Sequence, residues 1–268
     1  MRLESYLQRI GYTGPLAVNL ETLNSIHRHH LMSIPYENLD VQLNCPLTTD
    51  VAEAFDKIVN KGRGGWCYEM NGVLGWALAE IGFDIRRVSG GVNRRERGDG
   101  VMGSHLVLLA TLDKPYIVDA GFGDGFLNPI PLKEGKISER GFEFKLEKLA
   151  DGYWRLHNHQ YGGAPDFDFN TKTADEAELG QLCQVLQSFE QSPFVTWLIA
   201  QRFTQDGYEI QVGQTSKTIT AKEVITRTVQ SLDELQTRLR DIFGLDVPDV
   251  ARLWPTIRER HQQLIGDK

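Results

Sequence analysis

Apolar positions in the opening third of the chain repeat every three or four residues, the spacing of one helix face. Leu3, Leu7 and Ile10 make a short stripe that Gly11 ends. Asn19 is a good N-cap for a second helix over Leu20, Leu23, Ile26, His27 and Leu31, and Pro35 breaks the chain beyond it. Asp50 caps a third over Val51, Ala54, Phe55, Ile58 and Val59, with Gly62 as its stop. A fourth is predicted over Cys67 to Ile81, where Met70, Leu74, Ala77, Leu78 and Ile81 recur before Gly82.

After Gly82 the pattern becomes that of strands. Ile85 to Val92 and the apolar run Leu106 to Leu112 read as strands; Asp113-Lys-Pro115 turns the chain into Tyr116 to Asp119. Phe142 to Leu149 and Tyr153 to His157 flank Asp151-Gly152, a tight-turn pair. Helical spacing returns from Asp175 to Phe189, followed by strands around Phe203, Tyr208 to Val212 and Lys217 to Thr220. Ser231-Leu-Asp-Glu234 is a capping box for a helix through Leu235, Leu239 and Ile242, with Gly244 as its stop. No repeat or long linker separates these regions, so they are expected to pack as one body.

Composition narrows the function. A hydrophobic fraction of 41% and 24% charged residues are those of an ordinary globular protein. A net charge of −7 opposes nonspecific nucleic-acid binding, although a local basic pocket is compatible with it. The 3 cysteines, Cys45, Cys67 and Cys183, are odd in number and widely spaced, against a disulfide framework. With no apolar signal stretch and no run of membrane-spanning length, the expectation is a cytoplasmic protein without a membrane partner.

Candidate chemistry centres on Cys67, where Gly64 and Gly65 lead into the fourth helix. A first-turn cysteine faces unpaired N–H groups and the positive end of the helix dipole, both of which favour thiolate. A cysteine nucleophile needs a base, and the base needs an orienting group. His105 opens one strand of a hairpin and Asp119 closes the other, so antiparallel pairing brings both to one rim. An aspartate on one imidazole nitrogen would leave the other for the sulfur.

The segments Arg63-Gly-Gly-Trp-Cys-Tyr-Glu-Met-Asn71, Ser104-His105-Leu106, Tyr116-Ile-Val-Asp-Ala-Gly-Phe-Gly123 and Ile34-Pro-Tyr-Glu-Asn-Leu39, with Ser192-Pro-Phe194 further on, closely resemble the arylamine N-acetyltransferase family in order and spacing. The resemblance implies an α+β fold with a cysteine-protease-like Cys-His-Asp core. Its expected parts are a helical bundle over residues 1–83, a β-barrel-like domain over 84–190 and an α/β lid over 191–268. It further implies that Cys67 takes acetyl from acetyl-CoA in a ping-pong exchange, His105 is the base and Asp119 its orienter. The acceptor would be a small aromatic amine or hydrazine, as in xenobiotic acetylation, set against Phe122; Arg63 would pair with Glu37 to brace the nucleophile loop. Val101, Met102 and Gly103 border the triad and are the expected CoA contacts, as is the Gly121–Gly125 loop; neither is a nucleotide-binding fingerprint. A related acyltransferase or amide synthase using a larger acyl donor, a thiol hydrolase with the same triad, and a ligand-binding relative without activity are the alternatives.

Other features read as structural. His27, His29 and His30 lack a third ligand on one helix face and suit a solvated helix; no metal is expected. His157 and His159 share a strand face without partners, Arg94 to Arg97 form a charged loop, Cys45 is a loop thiol and Cys183 a core thiol.

Overall fold

A computed structural model describes residues 1–266 of the chain. The N-terminal segment comprises α1 (Leu3–Ile10), α2 (Leu20–Ser33), a two-residue strand β1 (Tyr36–Glu37), α3 (Leu39–Gln42), α4 (Val51–Phe55) and α5 (Cys67–Ile81). The side chain of Asn19 accepts the Thr22 N–H at the start of α2, Asp50 accepts those of Ala52 and Glu53, and Gly11 and Gly82 end their helices left-handed. The predicted third helix departs from regularity. After Phe55 the backbone widens into a π turn over Asp56–Asn60, and Lys57 in that turn is buried among acidic side chains.

There follow β2 (Asp84–Val92), α6 (Arg94–Arg97), β3 (His105–Thr111), β4 (Pro115–Val118), β5 (Ile130–Pro131), β6 (Gly135–Glu139), β7 (Phe142–Lys148), β8 (Trp154–His157) and β9 (Asp166–Phe169). The remainder is α7 (Glu176–Ser188), α8 (Pro193–Thr196), β10 (Ile199–Phe203), β11 (Gly207–Val212), β12 (Thr215–Thr220), β13 (Val224–Thr228), α9 (Leu232–Asp241) and α10 (Trp254–Gly266). Ser231 Oγ accepts the Glu234 N–H as the capping box requires, but Glu234 returns to the N–H of Gln230, one residue earlier.

Among the described residues the strands form two antiparallel sheets, making the fold α+β. An eight-stranded, barrel-like sheet runs β5-β4-β3-β2-β9-β8-β7-β6, and a five-stranded one runs β1-β10-β11-β12-β13. The first encloses Val88, Val107, Leu109, Ile117, Phe144, Leu146, Leu156 and Phe167, continuous with the apolar faces of α1, α2 and α5. A second cluster gathers Tyr36, Trp66, Cys67, Tyr68 and Leu106 under Leu179, Cys183 and Leu186 of α7. The third packs α9 and Ile257 of α10 against β10 through Leu198, Ala200, Leu235 and Leu239. Pairing of β1 with β10 therefore ties the first forty residues to the C-terminal sheet. No helix among the described residues is long and apolar enough to cross a membrane.

The structure corrects the reading of α2 as solvated. His27 and His30 are fully buried, and each makes a directed hydrogen bond, to Leu127 O and to the Tyr6 hydroxyl respectively. The apolar stripe of this helix is wider than Leu23, Ile26 and Leu31 alone, because two neutral imidazoles extend it. His157 and His159 also have partners: His157 meets Glu147 at 2.8 Å, and His159 is buried with Nε2 3.0 Å from Asp124 O. The arginine run is a helical turn whose Arg94 holds Asp99, Asp151 and Asp168.

Candidate active site

Helix α5 carries the nucleophile candidate at its first residue, and a buried chain of alternating charges braces that end. Arg63 places Nη2 2.8 Å from Glu37 Oε1 and 2.9 Å from Asp40 Oδ1. Lys57 Nζ lies 2.8 Å from Asp40 Oδ2 and 2.9 Å from Glu69 Oε2. Glu69, in the first turn of α5, accepts the Trp66 N–H at 3.2 Å. The loop over residues 63–66 is thus pinned on both sides before Cys67 enters the helix. Burial works against the Asp40 carboxylate, but Lys57 and Arg63 hold it below its ordinary range.

The hairpin β3/β4 supplies the next two residues. Leu108 lies opposite Val118, so the same register continued sets Asp119 opposite Val107, two residues from His105 and on the same face. His105 Nε2 and Asp119 Oδ2 are 2.8 Å apart, and both residues are buried. The ring nitrogen left free is Nδ1. Asp119 is itself held tightly. Its Oδ1 accepts from Asn71 Nδ2 at 2.7 Å and from the Gly121 N–H at 2.8 Å. Asn71 also donates to Leu106 O and accepts the Ala120 N–H at 2.8 Å. One amide on α5 thereby joins β3, the Asp119 loop and the carboxylate.

Asn71 was not singled out from the sequence, although it lies four residues after Cys67 and so on the same helical face. A polar residue at that spacing from a candidate nucleophile was the available signal.

Cys67 is 3% exposed and sits in a cavity of ≈ 270 Å³ with His105, Tyr36, Phe122, Gln201 and Phe194 in its wall. The sulfur faces the carbonyl of Ser104 at 3.9 Å. Gly121 runs so close to the helix start that a Cβ there would be 2.6 Å from Cys67 Cα. Against the expected preference for thiolate, burial pushes the thiol above its ordinary value, more than the N–H groups of Leu106 and Tyr68 lower it. A helix start supplies partial charge, but removal from water costs more.

Phe122 packs edge-on to Phe167 at 4.8 Å, and its ring centroid is 5.8 Å from that of His105. Of the residues expected to contact CoA, Val101, Met102 and Gly103 do not line this cavity; Val92, Arg97 and Ser104 beside them do. Gly103, left-handed at φ +89°, packs under α7, and its carbonyl accepts the Tyr68 hydroxyl at 2.7 Å. Cys45 is exposed and Cys183 buried. Among the described residues no three His, Cys, Asp or Glu side chains gather as a metal-ligand group.

The architecture and the sequence together define an acyltransferase. A family model described as N-acetyltransferase matches residues 19–252. An arylamine N-acetyltransferase of Mycolicibacterium smegmatis is 33% identical over 265 residues, covering 94% of this chain and 94% of that one. The chain belongs to the arylamine N-acetyltransferase family. The solved structure of the Mycobacterium marinum arylamine N-acetyltransferase superposes with a TM-score of 0.87 at 28% identity, covering 96% of this chain and 98% of that one. A second structure of the M. marinum protein, in complex with CoA, gives a TM-score of 0.86 at 28% identity over the same shares.

Proposed function

We propose that this protein transfers acetyl from acetyl-CoA to arylamines or arylhydrazines through an acetyl-Cys67 thioester. The observation that carries the reading is the buried 2.8 Å contact between His105 and Asp119, in one cavity with a thiol at a helix start. Asp119 on Nε2 leaves Nδ1 as the base. The Cys67 proton moves to Nδ1, and the resulting imidazolium offsets the burial that raises the free thiol. The thiolate attacks the thioester carbonyl, and the tetrahedral oxyanion meets N–H donors at the start of α5. Collapse expels the CoA thiolate, which takes the proton from His105.

In the second half the amine attacks the acetyl-Cys67 carbonyl and gives its proton to His105. Collapse then releases the amide and restores the cysteine. Both halves exchange one acyl bond for another, so no oxidant, reductant or metal is needed. In this reading Phe122 supports the acceptor ring, and Arg63 with Glu37 holds the nucleophile loop. The glycine-bearing stretch Val101-Met102-Gly103 lies at the approach to His105 as the candidate CoA contact. The segments 1–83, 84–190 and 191–268 would then supply the nucleophile, the His–Asp pair and the cover. A cytoplasmic location suits both acetyl-CoA and a reduced thiol.

Intact-protein mass after brief incubation with acetyl-CoA tests the reading. One acetyl group should appear on the wild type, be absent from Cys67→Ala, and discharge on adding an arylamine. A folded, reduced wild type that gains no acetyl group overturns it in favour of another acyl donor or hydrolysis.

A further inference from the structure

The acceptor cavity contains two polar side chains that the mechanism does not use. Tyr36 of β1 and Gln201 of β10 are direct partners in the antiparallel pair, so both project from one face of the five-stranded sheet. Both line the cavity with Cys67 and Phe122, and they are only 8% and 9% exposed. Among the described residues neither the phenol nor the carboxamide has a hydrogen-bond partner. Neither polar end is among the fully buried, unpartnered side-chain atoms, so both remain accessible from the ligand-sized cavity they line.

The loop from Gly121 to Gly123 leads from the Cys67 backbone to the Gln201 carboxamide. Gly121 abuts Cys67, Phe122 follows, and Gly123, left-handed at φ +83°, abuts Gln201 so closely that a Cβ there would overlap Oε1. Two residues reach at most about 7 Å, the scale of a benzene ring with its substituents. A Cβ added at Gly163 would come within 3.8 Å of Gln201 Nε2, and the Gly163 N–H donates to Asp124 Oδ2 at 2.6 Å. The carboxamide therefore meets a glycine at each of its two polar ends.

Resting on the acetyltransferase reading, we propose that Tyr36 and Gln201 form a hydrogen-bonding shelf that selects acceptors with an uncharged polar group para to the amine. With the ring on Phe122 and the amine at Cys67, a para carboxamide or hydroxyl reaches Gln201, which donates and accepts, while Tyr36 donates. The Asp124 carboxyl in the same wall disfavours an anionic substituent; Arg97, the cation at this cavity, is exposed and screened by solvent.

The test compares kcat/KM for 4-aminobenzamide, 4-isopropylaniline and 4-aminobenzoate in the wild type, Gln201→Leu, Gln201→Met and Tyr36→Phe, each checked by thermal melt. The ratio of amide to isopropyl rate, taken relative to wild type, cancels the amines' different nucleophilicities. It should fall about tenfold in either Gln201 variant, as for one well-made hydrogen bond, and by a smaller factor in Tyr36→Phe. Ratios within twofold of wild type in all folded variants overturn the shelf, as does a wild-type preference for 4-aminobenzoate. If acetyl-Cys67 forms but none of the amines discharges it, the shelf falls and the acylation half-reaction stands. If no acetyl-enzyme forms, the proposed function fails and the shelf with it.

Discussion

The backbone N–H of Asp119 donates to His27 Nε2 at 3.3 Å, while His27 Nδ1 donates to the Leu127 carbonyl at 2.9 Å. One neutral imidazole on α2 therefore fixes the chain on both sides of the Gly121–Gly125 loop. Burial lowers its pKa and keeps it in this uncharged form, with Phe126 stacked on the ring. His27→Leu leaves a buried N–H and a buried carbonyl unpaired, a loss of about 1–3 kcal/mol each. The variant should melt several degrees lower and lose turnover more than acceptor affinity, as read by calorimetry and a kcat-against-KM comparison.

Asp119→Asn should retain the fold and lose about 10³- to 10⁴-fold in kcat. The amide oxygen can keep both donors now on Oδ1, from Asn71 and Gly121. Its NH₂ must then face His105 Nε2, which forces the ring proton onto Nδ1 and removes the base. Single-turnover acetylation beside a thermal melt separates this outcome from unfolding; wild-type rates with an unchanged melt would remove Asp119 from the mechanism.

Removing Arg63 leaves the fully buried Glu37 carboxylate without its cation and Asp40 with Lys57 alone. Arg63→Ala should destabilise the protein by about 3–5 kcal/mol, the range for breaking one side of a buried ion pair. Arg63→Lys should recover part of this, because one ammonium cannot reproduce the fork that bonds Glu37 through both Nε and Nη2. Urea unfolding midpoints measure both.

Stability should decline in mild acid. Burial lowers the His30 pKa from 6.5 to about 3, helped by His27 and Arg9. The unfolded chain takes up this proton below about pH 6.5 and the folded protein does not, so the contribution is complete above that pH. It is lost as pH falls toward 3, by about 1.4 kcal/mol per unit. His159, lowered to about 4 chiefly by burial, acts in the same direction. His30→Asn can still accept the Tyr6 hydroxyl but cannot titrate, so its melting temperature should fall less steeply between pH 6.5 and 4.5; an unchanged slope would exclude His30 as a source.

Residues a few positions apart could be related from the chain itself. Helix starts at Asn19 and Asp50, the stops at Gly11 and Gly82, and the β3/β4 hairpin all follow from local hydrogen bonding and short-range pairing. The hairpin brings residues fourteen apart in sequence to 2.8 Å, because antiparallel register leaves little choice once the turn is recognised. Strands β5, β6, β9 and β13 and helix α10 carry no clear mark in the apolar pattern. Asp166 and Asp168 in β9 break the apolar pattern, yet both are buried, Asp168 beneath Arg94 and Arg155. The edge strand β13 is exposed throughout and offers no core face to read.

The sequence by itself determined the helix-then-strand order, the family motifs and the candidate Cys67, His105 and Asp119, because each is written in local pattern or spacing. Only the tertiary structure decided that His27 and Asn71 hold Asp119, that Tyr36 stands beside Gln201, and that burial raises the Cys67 thiol above its ordinary value. Those contacts join α2 to the loop after β4, α5 to β3, and β1 to β10 across up to 165 residues of chain. Hydrogen bonding and desolvation at such separations depend on which elements pack together, and no local periodicity records that choice.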